Sequence, residues 1–268
     1  MTKSYFRMPY GFGPFPGPRQ IPSPGHRDPH NSPRRTVASI VFESEKDAIA
    51  RLLPPGFKPA ADACVVIEAQ HLRNVDWLAG RGYSTLGVKF PAIYQGRSEV
   101  SEGDFLAVLW ENLADPIISG REELGYAKLW CEIDETVKSD NSHLFTGSWF
   151  GRSFVELTLS GLIPSDEAAP ARRPMLHYKY MPRTGYPGEA DAAYAVATPA
   201  ENPTLTVEER SVGSGEACFH RSTWEQLPTL FHIVNALADL PLGKVRNASV
   251  TISRGGKDLS DQRILDAE

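Results

Sequence analysis

Residues 115–129, with the sequence DPIISGREELGYAKL, form the most informative stretch of this 268-residue chain. Near its end stands Lys128, which enters a predicted strand beside the large apolar side chains of Leu129 and Trp130. A lysine on the inner side of such a strand would be desolvated, which lowers its pKa and favours the neutral amine that Schiff-base formation needs. Taken alone, the residues still favour the commoner arrangement, in which the lysine packs its stem and extends its ammonium into water.

The chain around this stretch is dominated by short runs typical of β-strands, rich in Val, Ile, Tyr, Phe and Thr and separated by turn residues. The runs are TVASIVFE (36–43), ACVVIEAQ (63–70), FLAVLWEN (105–112), KLWCEID (128–134), SFVELTLSG (153–161), MLHYKYM (175–181), AYAVAT (193–198), TLTVEERS (204–211) and ASVTIS (248–253). Two helices are predicted, one that follows Ser44 and ends before Pro54, and one over Trp224–Leu240. The pattern predicts a single α+β domain over residues 36–268, dominated by an antiparallel sheet or barrel.

The first 35 residues differ from the rest, since they contain eight prolines and four glycines. Such a segment lacks the backbone donors of a helix or a central strand. It also carries Phe6, Tyr10, Phe12 and Phe15, which a disordered tail normally lacks. We therefore expect an extended arm over residues 1–35 that packs on the fold or on a neighbouring subunit, with a partly ordered tail as the alternative.

Composition excludes several functional classes. The 28 basic and 33 acidic residues give a net charge of -5, so no basic field for nucleic acid is expected. No apolar run of about 18 residues and no secretory signal is present, which predicts a cytoplasmic protein without a membrane span. Cys64, Cys131 and Cys218 form no CxxC pair and the histidines form no HExxH pair, so no metal site is expected. Cys64 and Cys131 lie in apolar runs typical of core residues.

The stretch that ends at Lys128 resembles the active-site segment of the acetoacetate decarboxylase family. In that family a Gly-Arg-Glu sequence is followed six residues on by the Schiff-base lysine, which is preceded by Tyr and a small residue. Gly120–Glu122 and Tyr126–Lys128 keep this spacing. The resemblance implies that Lys128 is the nucleophile. It also implies a closed or barrel-like, mostly antiparallel β structure around the lysine, with a few flanking helices, in a homo-oligomer.

Further segments extend the resemblance in the same order along the chain. Arg35 matches the arginine that helps to place the substrate carboxylate, and Glu68 matches an active-site glutamate. Tyr83–Pro91, His177–Pro182 and Leu227–Leu242 resemble later segments of the family. These matches imply that Arg35 binds substrate and that Glu68 acts as an acid or base or positions the carboxylate.

Three other residues complete the predicted site. Tyr126 is a candidate proton donor, with aromatic packing as the alternative role. Glu122 is a candidate substrate-binding residue that orients its loop, with a structural ion pair to Arg121 as the alternative. Trp110 is predicted to bind substrate and to help desolvate Lys128. Glu111 and His177 are predicted to have only structural roles on their strands.

Two positions depart from the decarboxylase pattern. Leu129 stands where decarboxylases have a second lysine, so desolvation by Leu129, Trp130 and Trp110 must contribute more to a neutral amine. Thr85, a predicted substrate-binding residue, stands where they have a glutamate beside the substrate carboxylate. Superfamily members that lack these features perform aldol condensation and dehydration or ring closure through the same lysine, and this chain is closer to that branch.

The predicted mechanism uses an iminium ion as its electron sink, so neither an organic cofactor nor a metal is required. Arg35 holds the carboxylate of a small oxo acid, or the substrate is a ketone, and Lys128 attacks the carbonyl carbon. Decarboxylation and aldol-type condensation with dehydration share this intermediate and stay open. The alternatives are a hydrolase or dehydratase in which Lys128 supplies only positive charge, and a small-molecule binder without catalysis.

Overall fold

The computed structural model describes residues 6–7, 15–16, 26–139 and 142–266, which are built mainly of strands. The strands are β1 (Phe6–Arg7), β2 (Phe15–Pro16), β3 (Arg34–Glu43), β4 (Phe57–Pro59), β5 (Cys64–Arg73), β6 (Tyr83–Gln95), β7 (Val100–Glu111), β8 (Lys128–Trp130), β9 (Glu132–Ser139), β10 (Ser142–Trp149), β11 (Arg152–Pro164), β12 (Met175–Pro182), β13 (Ala190–Thr198), β14 (Thr206–Phe219), β15 (Val245–Arg254) and β16 (Arg263–Ile264). The helices are α1 (Lys46–Ala50), α2 (Ala114–Ser119) and α3 (Phe231–Ala238), with a 3₁₀-helix at Asp76–Leu78 and a π-helix at Gly120–Leu124.

Fourteen strands join in one sheet, in the order β16-β13-β12-β7-β6-β5-β3-β15-β14-β11-β10-β9, with β4 attached to β6 and β8 to β7. Among the strands in the described ranges, only β12 with β7 and β7 with β8 pair in parallel, so the expectation of a mostly antiparallel α+β protein is confirmed. Closure of the sheet is not confirmed, because in the described ranges the end strands β16 and β9 are not paired with each other. Strand β9 does fold back towards β5, where Glu135 Oε2 lies 3.1 Å from His71 Nε2.

The core lies on one face of the central strands. Side chains alternate between the two faces of a strand, and residues directly opposite on neighbouring strands share a face. Ala38, Ala69, Leu86 and Trp110 form one such row from β3 to β7, and all four are fully buried. The core continues into the other half of the sheet through Phe145, Phe154, Leu157 and Leu159. The opposite face of the same central strands is therefore left for polar groups.

The boundaries of several elements differ from the predicted ones. Strand β3 begins at Arg34, within the predicted arm, and residues 1–5, 8–14 and 17–25 of that arm lie outside the described part of the chain. The predicted helix at 224–240 is shorter, because turns occupy the residues around Pro228 and α3 begins only at Phe231. The run KLWCEID divides into β8 and β9 at Cys131, whose backbone N–H donates to Glu111 O at 3.1 Å.

Two further observations concern burial and membrane contact. Cys64 and Cys131 are buried, as predicted for core residues. In the described ranges, no helix has the length and apolar character needed to span a membrane.

Candidate active site

The site is built where β7 ends and β8 begins. The two strands pair in parallel, with Leu109 opposite Lys128, and the link between them contains α2 and the π-helix. A crossover of this kind returns the chain to the same edge, so Lys128 and Glu111 project from neighbouring strands. The short strand β8 therefore delivers the lysine to a carboxylate that lies 17 positions earlier in the sequence.

Lys128 and Glu111 form a buried ion pair. Lys128 Nζ lies 2.8 Å from Glu111 Oε1 and donates to the carbonyl oxygen of Pro116 at 2.9 Å. The two residues are 4% and 1% exposed. Lys128 is thus buried as the interpretation required, but a carboxylate contacts its nitrogen where apolar neighbours were expected. Trp130 is 40% exposed and contributes little to this burial.

Gly120 and Arg121 explain why the lysine takes this position. A Cβ on residue 120 would collide with Cδ, Cε and Nζ of Lys128, so glycine at this position leaves the lysine side chain free to take the path that it does. Arg121 Nη1 donates to the backbone carbonyl of Lys128 at 2.9 Å. The Gly-Arg pair of the motif therefore opens the path for the side chain and fixes its backbone.

The change from α-helix to π-helix at residue 120 supplies the second acceptor. At this junction the Gly120 N–H is shared between the carbonyls of Pro116 and Ile117. A shared donor leaves the Pro116 oxygen with capacity for the Lys128 ammonium. Single π-turns of this kind are frequent at functional sites.

Strand register brings three of the predicted residues, Arg35, Glu68 and Thr85, to one polar face with the Lys128–Glu111 pair. Thr85 lies opposite Glu111 on β6 and opposite Gln70 on β5. Glu68, Gly87, Leu109 and Lys128 form the adjacent row. Three strand spacings separate Glu68 from Lys128, or about 14 Å between Cα atoms. The residues on this face are Arg35, Glu68, Thr85, Glu111 and Lys128.

Glu68 is held as a carboxylate. Lys89 Nζ lies 3.0 Å from Glu68 Oε2, and Gln70 Nε2 donates to Oε1 at 2.5 Å. Burial favours the neutral acid, but the Lys89 charge and the hydrogen bonds from Lys89 and Gln70 outweigh it, so the pKa of Glu68 lies below its ordinary value. Glu68 is therefore ionised at neutral pH and suited to orient a cation, and it is not suited to donate a proton.

Arg35 lies at the end of the same face, beside a cavity of about 120 Å³. Leu72 and Tyr83, which share its row, line this cavity together with the loop at 256–259. Arg35 Nη1 donates to Gly255 O at 2.6 Å. Burial, assisted by the charge of Arg172, lowers the pKa of Arg35 from 12.5 to about 10. The guanidinium therefore remains charged at neutral pH and available to an anion.

Thr85 is 5% exposed and lies between Gln70 and Glu111 on the polar face. Its hydroxyl oxygen is shielded from solvent and has no hydrogen-bond partner in the described part of the chain. A buried hydroxyl without a partner is unfavourable for folding.

Trp110 and Glu122 were predicted to line the site, but neither side chain is placed beside Lys128 by a contact in the described residues. Trp110 projects to the opposite face, where its ring packs 5.3 Å from that of Phe154, because neighbouring residues of a strand alternate. It therefore does not shield the Lys128 amine as predicted. Glu122 lies in the π-helix, and the contact it makes to Lys179 Nζ, at 2.7 Å, uses its backbone carbonyl.

Tyr126 presents its ring to the lysine. Lys128 Nζ lies 5.8 Å from the centre of that ring, whereas the Tyr126 hydroxyl is 2.8 Å from Thr198 Oγ1. The ring also packs 4.3 Å from that of His177, which is buried and contacts Leu124 O through Nε2 at 2.9 Å. This arrangement favours the packing alternative over proton donation.

Glu111 was not predicted from the sequence as a site residue. Gln70 and Lys89, which are the two partners of Glu68, were not predicted either. A signal for Glu111 existed in the alternation of β7, where Trp110 and Glu111 must face opposite sides. What the sequence does not contain is the parallel pairing of β7 with β8, which brings Glu111 to Lys128. In residues 26–139 and 142–266, no group of three or more His, Cys, Asp or Glu side chains is arranged to hold a metal ion.

Comparisons with known proteins agree with this architecture. A family model described as acetoacetate decarboxylase matches residues 7–254. Acetoacetate decarboxylase from Clostridium botulinum (strain Eklund 17B / Type B) is 26% identical over 117 residues, which cover 41% of this chain and 45% of that protein. The matched region thus spans less than half the length of that relative.

Solved structures show the same fold. An acetoacetate decarboxylase superimposes with a TM-score of 0.68 at 19% identity, covering 89% of this chain and 90% of the other. The acetoacetate decarboxylase of Legionella pneumophila gives 0.64 at 17% identity, covering 92% of each. The enduracididine biosynthesis enzyme MppR, in its complex with pyruvate, gives 0.63 at 20% identity, covering 87% and 88%.

Proposed function

This chain belongs to the acetoacetate decarboxylase family, and from that premise we propose that it is a Schiff-base-forming carbon–carbon lyase whose nucleophile is Lys128. Its substrate is a small oxo acid or ketone. The observation that carries the proposal is the buried contact of 2.8 Å between Lys128 Nζ and Glu111 Oε1. The proposal includes a homo-oligomeric assembly, which sedimentation analysis tests.

Glu111 supplies the proton transfers that a buried ammonium needs before it can react. Transfer of one proton from the ammonium to the carboxylate gives a neutral amine and a carboxylic acid without a change in net charge. The amine adds to the substrate carbonyl, and the Glu111 proton leaves with the carbonyl oxygen as water. The products are an iminium ion and a Glu111 carboxylate, so the interior holds one positive and one negative charge before and after condensation.

The iminium ion then takes up the electron pair of a bond on the neighbouring carbon, either the bond to a carboxylate or the bond to a hydrogen. Loss of carbon dioxide or of a proton from that carbon gives an enamine, and the Glu111 carboxylate is positioned to accept the proton. The enamine carbon then takes up a proton or attacks an aldehyde. Arg35 is charged and lines a cavity, so it is suited to bind the substrate carboxylate. Glu68 orients the substrate or accepts protons at the far end of the same face.

Reduction with borohydride in the presence of pyruvate or acetoacetate tests the proposal. An irreversible adduct is expected on the peptide that contains Lys128, located by peptide mass analysis. Lys179 serves as an internal control, since burial lowers its pKa and its nitrogen contacts Glu122 O instead of a carboxylate. Lys128→Met should abolish the adduct. Glu111→Gln should slow its formation at least about a hundredfold, as expected for loss of a general acid–base group.

The alternatives give different results. Catalysis that survives in Lys128→Met, without an adduct for any oxo acid, would indicate a hydrolase or dehydratase that does not form an imine. Tight binding without turnover would indicate a binding protein. When an adduct does form, a headspace assay for carbon dioxide distinguishes decarboxylation from aldol-type condensation.

A further inference from the structure

Strand β12 contacts the end of the π-helix through two side chains. Lys179 Nζ donates to Glu122 O at 2.7 Å, and His177 Nε2 lies 2.9 Å from Leu124 O. The two residues are separated by one position and therefore project from the same face of the strand. The last carbonyls of a helix have no partner within it, and lysine or histidine side chains can supply one. Strand β12 thus caps the segment that joins α2 to β8.

Gly125 allows the lysine of β12 to come this close. Its φ of +78° lies in the left-handed region, and a Cβ there would lie 2.6 Å from Cβ of Lys179 and 2.8 Å from its Cγ. At the start of the π-helix, Gly120 is equally close to the side chain of Lys128. The π-helix is therefore flanked by two glycines, each of which accommodates one lysine stem.

We propose that Lys179 and His177 are positioning residues that hold the π-helix against Lys128. This inference rests on the proposed function and goes beyond it, because it assigns to β12 a role in presenting the nucleophile. Without these two contacts the π-helix is free to move away from β12, which changes the space that Gly120 leaves for the lysine. The amine then lies less often at the 2.8 Å that separates it from Glu111 Oε1.

His177 has a second route to the lysine through Tyr126. The rings of His177 and Tyr126 pack 4.3 Å apart, and the centre of the Tyr126 ring lies 5.8 Å from Lys128 Nζ. Burial lowers the pKa of His177 to about 4, so its ring is neutral at pH 7 and adds no charge beside the lysine. A neutral imidazole has one N–H, and the nearby Leu124 carbonyl places it on Nε2.

Lys179 contributes a charge as well as a hydrogen bond. Burial lowers the pKa of Lys179, and the charges of Glu122 and Glu123 oppose this change. A hydrogen bond from a charged donor is stronger than one from a neutral donor. Lys179→Met keeps an unbranched stem beside Gly125 and removes the donor to Glu122 O. Lys179→Arg keeps both a charge and donors.

Exchange of the pyruvate methyl hydrogens for deuterium tests the inference, because it proceeds through the imine and the enamine and NMR in D₂O follows it. Lys179→Met and His177→Leu should each lower kcat for exchange about tenfold, since small misplacements of a reacting group are costly. KM should change less than about twofold, because neither residue contacts the substrate in this arrangement. The conservative variants Lys179→Arg and His177→Gln, which keep a donor, should retain most of kcat.

A matched control separates this role from a general loss of stability. Lys58 Nζ also donates to an uncharged oxygen, Gln95 Oε1 at 2.8 Å, but lies on β4. Lys58→Met should leave kcat unchanged. Every variant is assayed well below its Tm, and far-UV circular dichroism verifies its fold. Because two pairs of variants address the same π-helix, the test remains decisive if one variant does not fold.

A double variant tests the route through Gly120. If Lys179 acts on Lys128 by holding the π-helix, then Lys179→Met and Gly120→Ala disturb the same contact. Their effects on kcat should therefore combine to clearly less than the product of the two single losses, as expected for residues that act together. Independent effects would show that Lys179 does not act through Gly120.

Three outcomes overturn the inference while leaving the proposed function intact. The first is an unchanged kcat in both Lys179→Met and His177→Leu. The second is a raised KM with kcat unchanged, which would indicate contact with the substrate. The third is an equal loss of kcat in Lys58→Met. Absence of both exchange and a borohydride adduct in the unmodified protein would overturn the proposed function, and this inference with it.

Discussion

The side chain of Lys128 passes over Gly120 so closely that a Cβ at position 120 would force the lysine to move. A Cβ there would lie 2.6 Å from Nζ and closer still to Cδ and Cε. Gly120 has φ −67° and ψ −36°, which any residue adopts. The glycine is therefore required by its neighbour and not by its backbone conformation.

Gly120→Ala should displace the lysine without unfolding the protein. Alanine favours helical backbone by about 1 kcal/mol over glycine, which opposes the steric cost. We expect the rate of borohydride trapping on Lys128 to fall at least about tenfold, since small misplacements of a reacting group are costly. Far-UV circular dichroism should stay unchanged.

Ile118→Ala is the control for Gly120→Ala, because Ile118 lies two residues earlier, in α2, and is exposed. It should leave trapping unchanged. If the two variants trap at equal rates, Gly120 does not position the lysine.

Removal of either member of the Lys128–Glu111 pair should destabilise the protein, because the remaining member keeps a buried charge without its partner. Removing one member of a buried pair leaves an uncompensated charge and costs about 3–5 kcal/mol. We expect Lys128→Met and Glu111→Gln each to lower the free energy of unfolding by that order. The double variant should lose clearly less than the sum. Urea denaturation at pH 7 measures all four proteins, and additive losses would show that the two groups do not interact.

Arg121 should act on the reaction through the backbone of Lys128. Its Nη1 donates to the Lys128 carbonyl, so Arg121→Met frees the start of β8. We expect trapping on Lys128 to slow about tenfold while the affinity for pyruvate changes little, because the arginine contacts no proposed substrate group. Arg51→Met, at the exposed end of α1, is the control. A change in affinity alone would contradict this positioning role.

His177 should make stability depend on pH. Burial is the main reason that the pKa of His177 is lowered from 6.5 to about 4. Between these values the unfolded chain binds a proton that the folded protein does not, so the free energy of unfolding falls as pH decreases from about 6.5 to about 4. The full effect is roughly 3 kcal/mol, from 1.36 kcal/mol per pKa unit.

Urea denaturation of the wild type and of His177→Gln across this range checks the prediction. The glutamine amide offers a donor in place of Nε2 to Leu124 O, and it does not titrate. The variant should show a smaller slope of stability against pH. Equal slopes would assign the effect to other groups, such as His71, whose pKa burial also lowers.

Short-range pattern was sufficient for much of the fold. Alternation and β-branched residues predicted most of the strands, and the Gly-Arg-Glu spacing made Lys128 the candidate nucleophile. The length of α3 was wrong because turn formation around Pro228 depends on local geometry that helical periodicity does not reveal. The break at Cys131 was missed because the run KLWCEID is uninterrupted in its β-propensity.

Long-range pairing was the information that the sequence did not contain. Glu111 received only a structural role because its partner is decided by the parallel register of β7 and β8. Trp110 was assigned to the lysine although strand alternation places it in the core with Phe154. Strict use of the alternation of β7 would have assigned Glu111 to the site and Trp110 to the core.

The two acceptors around Lys128 have a consequence for what happens after condensation. The ammonium donates to the Pro116 carbonyl and contacts Glu111, and so uses at least two of its three hydrogens. An iminium nitrogen retains a single hydrogen, so it cannot serve both acceptors. If charge balance keeps it with Glu111, the Pro116 oxygen loses the lysine as a donor and retains only its share of the Gly120 N–H. Formation of the imine at Lys128 therefore changes the hydrogen bonding of Pro116 in the last turn of α2, 12 residues earlier in the chain.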